Sequence, residues 1–408
     1  MSERFVIIDG VRTPFCKAGT ELASLTADDL GRIAVDALLT RTGLDTALID
    51  EVIFGCVSQP PEVANIARVI ALRAGIPESV PAMTVHRSCA SGFEAFTTAS
   101  ERLAAGRGSI FVVGGTESMS RQPALFQDIT VRKFAELTKS RSTKDKLTAL
   151  AAFRVADFEP RALVHVAQTD SFSGLSMGET ADLLAREDGL TREQQDAFAL
   201  QSHQRALAAE ARLAEEITPV YLGSKPIARD NGPRADASMA ALGALKPAFE
   251  KYGTVSSGNS AQPTDGAVAL LVMSESRAKE LGLQPIGALT AYAYTGCDPA
   301  HMGLGPVSAI EKVAQQSKLT PADADVVEIH ETFAAQVLGV LSRIKPPIPP
   351  DKLNVNGGAI ALGHPLGATG ARLILTSLKE LARRKAQRAL VSLCVGGGQG
   401  SAIWLERI

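Results

Sequence analysis

The feature that most constrains the fold is a pattern that occurs twice along the chain. In each copy, an apolar strand-like run leads to a glycine-containing turn, a helix-forming segment and a second apolar run. Cys89, at the first turn, lies 37 positions after Val52, and His364, at the second, lies 38 positions after Val326. Apolar runs that alternate with helical segments are typical of sheets buried under helices. The pattern therefore predicts an α/β protein of two related halves, whose functional groups meet at their junction.

Cys89 has the setting of a reactive thiol. A thiolate attacks a thioester readily and is also a good leaving group, so a cysteine can carry an acyl group between two acceptors. Residues 83–85 predict a strand and residues 93–105 a helix, which places Cys89 at a strand-to-helix turn. A helix N-terminus stabilises a thiolate. The small residues 90–92 are interpreted as space for close approach of a substrate.

Two further residues could serve the same chemistry. His364 lies between Gly363 and Pro365, and a neutral histidine can take the proton of a thiol. Cys394 follows the apolar run 389–393 and precedes the glycine-rich residues 396–400, where an acid/base thiol could work beside exposed backbone N–H groups. Taken singly, these features are more often a turn histidine, an inert buried thiol and a tight glycine turn. We assign structural roles to the remaining cysteines, Cys16, Cys56 and Cys297.

Composition excludes several classes of protein. At 408 residues the chain exceeds what one core usually supports, so two or more domains are expected. A net charge of −2 gives no footprint for nucleic acid. No apolar stretch reaches the roughly 18 residues of a membrane span, and no signal peptide is visible. Because five cysteines suit a reducing compartment, we expect a cytoplasmic protein.

Short motifs follow one another in a fixed order along nearly the whole chain. They are residues 12–15 (Arg-Thr-Pro-Phe), 86–92 (around Cys89), 114–120 (Gly-Gly-Thr-Glu-Ser-Met-Ser), 258–260 (Gly-Asn-Ser), 265–267 (Asp-Gly-Ala), 330–333 (His-Glu-Thr-Phe), 356–358 (Asn-Gly-Gly), 363–365 (Gly-His-Pro) and 394–396 (Cys-Val-Gly). In this combination and order the motifs are highly specific. By them, the chain resembles the thiolase family.

The resemblance implies the thiolase fold, in which two duplicated βαβαβαββ halves form a five-layered α-β-α-β-α arrangement with an inserted loop domain. The N-terminal half would comprise residues 1–120 plus 250–274, and the C-terminal half residues 275–408. The loop domain, residues 121–249, would bind CoA and make tetramer or partner contacts. Within it, residues 191–196 have the capping pattern of a helix start. The family usually forms homodimers or homotetramers.

The resemblance also implies an acyltransferase reaction, the CoA-dependent cleavage of a 3-ketoacyl-CoA to acetyl-CoA and a shortened acyl-CoA. Cys89 would attack the keto carbon while His364 takes its proton, and Cys394 would protonate the acetyl-CoA enolate. One oxyanion hole would use His364 and a water held by His330. The other would use the backbone N–H groups of Cys89 and Gly396. CoA is a substrate here, so we expect no permanently bound cofactor and no metal.

Several residues are expected to contact CoA or the substrate by their positions in the motifs. Arg234 would meet the phosphates or the adenine, although by itself it reads equally well as a solvated loop arginine. Phe249 would pack near the pantetheine. Residues 259–261 (Asn-Ser-Ala) and Ser176 depart from the pattern of some relatives. The expected contacts are Met177, Arg234, Phe249, Ser257, Ser260, Met302 and Phe333.

His330 points to a subgroup, because many relatives carry asparagine there. Together with residues 202–206 (Ser-His-Gln-Arg-Ala), it resembles the β subunit of the fatty-acid oxidation trifunctional complex. The partner in that complex is an α subunit with hydratase and dehydrogenase activities, and the substrates include medium and long acyl chains. We therefore predict a role in fatty-acid β-oxidation. The tautomer and charge of His330 are expected to alter the pH profile.

Residues 121–166 form a basic segment, with nine Lys or Arg against five Asp or Glu. Residues 146–153 could present an apolar helix face to a membrane surface, a partner subunit or the acyl tail of the substrate. The simpler interpretation is a solvated surface helix.

Three alternatives to the main interpretation stay open. A short-chain acetoacetyl-CoA thiolase would use the same residues on a smaller substrate. A decarboxylating ketoacyl synthase would need no second thiol at Cys394. A silent CoA-binding subunit would have no use for Cys89, His364 and Cys394 together. Acyl chain length and the direction of flux do not follow from these residues.

Overall fold

A computed structural model describes residues 3–162, 168–223 and 225–408. Its strands are β1 (Phe5–Arg12), β2 (Cys16–Lys17), β3 (Glu51–Gly55), β4 (Ala82–Val85), β5 (Ile110–Glu117), β6 (Ala124–Leu125), β7 (Arg161–Ala162), β8 (Val220–Tyr221), β9 (Pro226–Ile227), β10 (Thr264–Ser274), β11 (Gly287–Gly296), β12 (Val326–Ile329), β13 (Arg388–Val395) and β14 (Gln399–Glu406). Its α-helices are α1 (Ala27–Thr42), α2 (Ile66–Arg73), α3 (Ser91–Ala104), α4 (Asp128–Lys139), α5 (Thr143–Ala151), α6 (Met177–Glu187), α7 (Arg192–Ala208), α8 (Glu210–Leu213), α9 (Met239–Gly243), α10 (Glu275–Glu280), α11 (Gly305–Ser317), α12 (Ala334–Arg343), α13 (Ala359–Leu362) and α14 (Leu366–Arg384).

The two halves of the sheet repeat one strand order. It is β3-β5-β10-β1 in the first half and β12-β13-β14-β11 in the second. In each half the first two strands are parallel and the other neighbours are antiparallel. The halves join where Val6 pairs with Ala288 and Ile7 with Gly287, so they share one hydrogen-bonded sheet. The duplication predicted from the sequence is confirmed.

The halves differ in one strand. In the first half, β4 extends the sheet as a parallel neighbour of β3. At the matching place in the second half, the described residues contain a single β-bridge, between Val327 and Leu353. Residues 345–350 include four prolines, which have no N–H to donate to a ladder. Asn354 then has a φ of 43°, which ends the extended backbone. The second half therefore lacks a full counterpart of β4.

Three apolar cores hold the five layers together. Two lie between a half of the sheet and its outer helices, and the third surrounds the central helices between the two halves. On β14, Ala402 and Trp404 face outward to α11 and α12, while Ile403 and Leu405 face the centre of the molecule. This alternation follows the two-residue period of a strand. Helices α1 and α2 cover the outer face of the first half, and α3 and α14 fill the layer between the halves. The five-layered α-β-α-β-α arrangement is thus confirmed.

The two central helices approach each other through glycines. A Cβ on Gly92 would lie 2.7 Å from the backbone nitrogen of Ala371, and a Cβ on Gly370 would lie 2.5 Å from that of Phe93. Neither distance leaves room for a side chain. The interpretation of Gly92 as space for a substrate is therefore wrong, because the backbone of α14 takes that space.

The segment between β5 and β10 carries α4 to α9. Thr191 caps α7 as expected: its side chain accepts from the backbone N–H of Gln194, and the Gln194 side chain accepts from the N–H of Thr191. Further along α7, Ser202 donates to Glu331, 2.6 Å away. On its other side, Asp196 accepts from the Asn259 side chain at 2.9 Å. Helix α7 is thereby anchored to the loops that precede α12 and β10.

Helices α4 and α5 form a separate small cluster around four aromatic rings. These are Phe126, Phe134, Phe153 and Phe158, with ring centroids 4.9–6.2 Å apart in the contacting pairs. Around them Val131, Leu147 and Val155 face solvent, and Val155 is 92% exposed. Across the described ranges, the helices are all too short or too polar to cross a bilayer.

Candidate active site

Cys89 occupies the turn between β4 and α3, as the sequence predicts. Ser88 before it has a φ of 43°, a left-handed conformation that is strained for a residue with a side chain. The Ser91 hydroxyl holds this turn by accepting from the backbone N–H of Arg87 at 2.9 Å and donating to the Ser88 carbonyl at 2.7 Å. Burial raises the pKa of the Cys89 thiol to about 11, while hydrogen bonds from the backbone N–H groups of Gly396 and Cys89 act in the opposite direction. These two backbone N–H groups therefore favour the thiolate form of Cys89.

A buried carboxylate, Glu117, links two segments of the backbone near the site. It accepts from the backbone N–H groups of Val57 (3.1 Å), Ser58 (2.7 Å) and Gly367 (2.9 Å). The end of β5 is thereby tied to the loop after β3 and to the start of α14. Burial raises the pKa of Glu117, and its charge in turn raises the pKa of Cys89. The sequence analysis missed this role, although a lone acid at the end of an apolar strand was a usable signal.

His364 is held as a base with its lone pair on Nε2. Its backbone N–H donates to the Gln262 carbonyl at 3.0 Å and also lies 3.1 Å from the Thr264 hydroxyl. The Thr369 hydroxyl donates to the Pro365 carbonyl, so its oxygen accepts from Nδ1–H of His364 at 2.6 Å. Within the described part of the chain, the buried Nε2 has no hydrogen-bond partner. Burial lowers the pKa of His364 to about 3, with the Arg372 charge acting in the same direction.

His330 follows β12 and lies beside His364. The two ring centroids are 4.2 Å apart, and the ring planes are inclined at 52°. Its backbone N–H donates to the Ser392 carbonyl at 2.9 Å, yet neither ring nitrogen meets a partner among the described residues. Burial lowers the pKa of His330 far below its ordinary value, and electrostatic repulsion from His364 and Arg372 lowers it further. His330 is therefore a neutral, fully buried imidazole beside His364, and it does not itself line the cavity described below.

Cys394, near the end of β13, is 1% exposed. Its sulfur lies 3.2 Å from the Thr332 hydroxyl. Burial raises its pKa to about 12, the Thr332 hydrogen bond lowers it, and Cys89 and Cys297 raise it further.

One cavity of about 360 Å³ brings most of the predicted residues together. Cys89 and His364 line it. Met302 does not; it is buried in an apolar cluster with Cys394 and Phe333. Gly396 is not among the lining residues, but a Cβ there would lie 3.6 Å from the sulfur of Met177, which is. The predicted CoA contacts that line the cavity are Met177, Arg234, Phe249, Ser257, Ser260 and Phe333.

The cavity also contains His203, to which the sequence analysis gave no role. Its Nδ1 accepts from the backbone N–H of Arg234 at 3.2 Å, which places the ring proton on Nε2. Burial lowers the pKa of His203 to about 4. The Arg234 side chain is half exposed, and its charged neighbour is Asp236 at 3.8 Å. His203 thus fixes the backbone of Arg234, whose half-exposed side chain also lines the cavity.

Comparisons with known proteins agree with this geometry. Residues 5–276 match the family model for the thiolase N-terminal domain, and residues 283–407 match that for the thiolase C-terminal domain. The chain is 40% identical to an acetyl-CoA acetyltransferase of Allochromatium vinosum, with 100% of both chains covered. It is also 40% identical to a 3-ketoacyl-CoA thiolase of Serratia proteamaculans, over 99% of this chain and 97% of that protein.

Solved structures also match this chain over its whole length. The Bacillus anthracis acetyl-CoA acetyltransferase superposes with a TM-score of 0.91 at 35% identity, covering 100% of this chain and 99% of the other. Human mitochondrial 3-ketoacyl-CoA thiolase in complex with CoA superposes with a TM-score of 0.90 at 33% identity, covering 100% and 98%. The chain belongs to the thiolase family, and it is an acyltransferase.

Proposed function

We propose that this protein is a 3-ketoacyl-CoA thiolase that cleaves 3-ketoacyl-CoA with CoA during fatty-acid β-oxidation. The observation that carries the proposal is the meeting of a nucleophilic thiol and a proton-accepting imidazole nitrogen at one cavity, with a second thiol 3.2 Å from the hydroxyl of Thr332, which lines that cavity. The backbone N–H groups of Gly396 and Cys89 favour the Cys89 thiolate, and His364 presents an unprotonated Nε2. Cys394 supplies the second proton-transfer group that reversible carbon–carbon cleavage requires.

The first half-reaction begins at Cys89. His364 Nε2 takes the thiol proton as the sulfur attacks the C3 keto carbon, and the bond between C2 and C3 breaks. Its electron pair goes to the acetyl-CoA enolate, which takes the proton of Cys394. A second CoA, whose thiol proton passes to the Cys394 thiolate, then attacks the acyl-Cys89 thioester, and His364 returns its proton to the departing Cys89 sulfur as the shortened acyl-CoA is released. The chain is returned to its starting state.

Two oxyanions form, and the site has donors for each. The backbone N–H groups of Cys89 and Gly396, which act on the resting thiol, would bind the oxygen of the tetrahedral intermediate. Once His364 Nε2 holds the Cys89 proton, it would donate to the enolate oxygen together with a water held by His330, whose ring centroid lies 4.2 Å from that of His364. Each donor of this kind typically contributes about 10²–10³-fold in rate. CoA acts as a substrate and not as a resident cofactor.

We further propose that residues 121–249 form the CoA-binding loop domain, between an N-terminal half of residues 1–120 plus 250–274 and a C-terminal half of residues 275–408. The cavity supports this division, because its outer wall comes from α6, α7 and residues 248–249 of the insertion. Arg234 would meet the CoA phosphates, and Phe249 would pack on the pantetheine. The Ser260 hydroxyl donates to the Ser256 carbonyl at 2.7 Å, which leaves its oxygen to accept from the pantetheine.

The partner surface is proposed to be the cluster formed by α4 and α5. Exposed apolar side chains beside lysines and arginines suit a protein–protein contact, here with a hydratase/dehydrogenase α subunit. Deleting residues 139–158 should weaken assembly, measured by light scattering with such a subunit, and should leave acetoacetyl-CoA cleavage intact. If the deletion variant still assembles with the subunit but no longer binds anionic liposomes, the surface would be assigned to a membrane contact instead. A homodimer or homotetramer is the proposed assembly of this chain, and the cytoplasm its proposed compartment.

The deciding experiment is CoA-dependent cleavage by the purified chain of acetoacetyl-CoA and of a long-chain 3-ketoacyl-CoA. Cys89→Ala should abolish cleavage. Cys297→Ala, which removes another partly exposed thiol, should retain it. Preference for the long chain supports β-oxidation, whereas preference for acetoacetyl-CoA moves the chain to the short-chain branch. Failure to cleave either substrate would refute the proposal.

A further inference from the structure

Thr332 is a polar side chain at the junction of the cavity and the second thiol. It lies in the loop between β12 and α12, lines the cavity, and places its hydroxyl oxygen 3.2 Å from the sulfur of Cys394. Its backbone is fixed, because the Thr332 carbonyl accepts from the Ala261 N–H at 2.9 Å and the next residue, Phe333, bridges to Ser260. The hydroxyl is therefore held at the thiol by the fold.

The surroundings of Cys394 offer little else that could stabilise a negative charge. Its apolar neighbours include Val255, Met302 and Phe333. The titratable groups that act on it are Cys89, at the α3 turn, and Cys297, after β11, and both raise its pKa. Burial raises that pKa most, to about 12. The hydrogen bonds from Thr332 and from the backbone of Cys394 itself oppose these effects.

We propose that Thr332 is a positioning residue that stabilises the thiolate form of Cys394 and aims it at C2 of the acetyl group. The proposal rests on the function proposed above. In cleavage, the Cys394 proton moves to C2 of the enolate, the S–H electron pair stays on sulfur, and the Thr332 O–H donates to that sulfur. In condensation, the thiolate takes a proton back from C2 of acetyl-CoA. The hydroxyl thus favours the charged form that both directions pass through.

The step that Thr332 serves can be measured separately from acyl transfer. With acetyl-CoA alone in D₂O, removal and return of the C2 proton by Cys394 exchanges the methyl hydrogens for deuterium, which NMR follows. Hydrogen bonds to charged groups are strong enough for Thr332→Val to slow this exchange by about 10- to 100-fold. The rising limb of its pH profile should move about one pH unit or more toward higher pH. The KM for acetyl-CoA should stay close to that of the wild type.

Two variants separate positioning from folding. Thr332→Ser keeps a hydroxyl and should restore at least part of the exchange rate and the original pH limb. Thr97→Val makes the same change at another buried threonine, whose hydroxyl bonds Tyr294 at 2.9 Å, and should leave the exchange profile unchanged. A loss in Thr332→Val that serine does not rescue, or that leaves the pH limb in place, would overturn the proposal.

The outcome also separates this inference from the proposed function. If the wild type neither cleaves 3-ketoacyl-CoA nor exchanges the protons of acetyl-CoA, the proposed function fails. If the wild type does both and Thr332→Val exchanges at the same rate with the same pH limb, only the role of Thr332 fails.

Discussion

Replacing Thr369 with valine tests how the fold prepares His364 as a base. The Thr369 oxygen, 2.6 Å from Nδ1, is the acceptor that holds the imidazole proton on Nδ1 and leaves the lone pair on Nε2. Valine has nearly the same shape without the oxygen. In the variant, Nδ1–H is buried without that acceptor. Leaving a buried donor unpaired costs about 1–3 kcal/mol, which corresponds to a change of about 5- to 150-fold in an equilibrium constant.

The ring can avoid this cost by moving its proton to Nε2 or by rotating, and either change removes the base from the thiol. We therefore expect Thr369→Val to slow acetyl transfer from acetyl-CoA to Cys89 by about 10- to 100-fold. Rapid quench and intact-protein mass spectrometry measure the acetylated fraction in a single turnover. A modest loss of melting temperature should accompany this change, since one buried hydrogen bond contributes about 1 kcal/mol.

Thr369→Ser is the matched control, because it keeps the oxygen and should acylate at nearly the wild-type rate. If Thr369→Val acylates as fast as the wild type, the tautomer argument is refuted. If the serine variant is as slow as the valine variant, the methyl group and not the hydrogen bond is what His364 needs.

Three other predictions concern charge. The pKa of His330 is far below neutral, so His330→Asn should leave the acid limb of kcat/KM unchanged between pH 5 and 8; a limb near pH 6 present only in the wild type would contradict this. Arg234→Ala should weaken CoA binding by about tenfold in calorimetry without changing turnover of an N-acetylcysteamine thioester, and equal loss with both would argue against a phosphate contact. Burial raises the pKa of Glu380, but hydrogen bonds from Asn356, Arg384 and Arg383 outweigh it and lower the pKa to about 2. The contribution of Glu380 to stability is complete above about pH 4.5 and is lost as the pH falls toward 2. In Glu380→Gln, the free energy of unfolding measured with urea should therefore fall less between pH 4.5 and pH 2, by up to about 3 kcal/mol.

The sequence predicts the architecture well because the fold repeats itself. The nearly equal spacing before Cys89 and before His364, 37 and 38 positions, reflects two copies of one strand order, and the local sequence pattern is enough to reveal it. It does not reveal how the copies meet. Whether Gly92 faces a substrate or the backbone of α14 depends on a contact between residues nearly 280 positions apart. The shortened last strand of the second half follows from prolines, whose effect on a distant strand edge also needs the assembled sheet.

The same limit holds at the site. Cys89, His364 and Cys394 are predictable because their chemistry and their motifs are distinctive. Thr369 and Thr332 are common residue types whose roles come from one hydrogen bond each. Thr369 carried a local signal, since it lies four residues after Pro365 on the first turn of α14. The prediction that His330 alters the pH profile did not take account of how deeply the residue is buried. That burial depends on how the layers pack, which the local sequence does not show.

These contacts define a site that is electrically neutral at rest. Because burial raises the pKa of Cys89 and lowers that of His364, a thiolate–imidazolium pair is disfavoured before the substrate binds. Proton transfer must therefore accompany attack on the carbonyl, when negative charge moves from sulfur to an oxygen that backbone N–H groups can hold. The same holds for Cys394, whose charge appears only as the enolate forms or disappears. In the proposed reaction, burial of the thiols and imidazoles thus favours acyl transfer over side reactions of a free thiolate, and the rate should depend strongly on the few hydrogen-bond donors near the thiols, including Thr332.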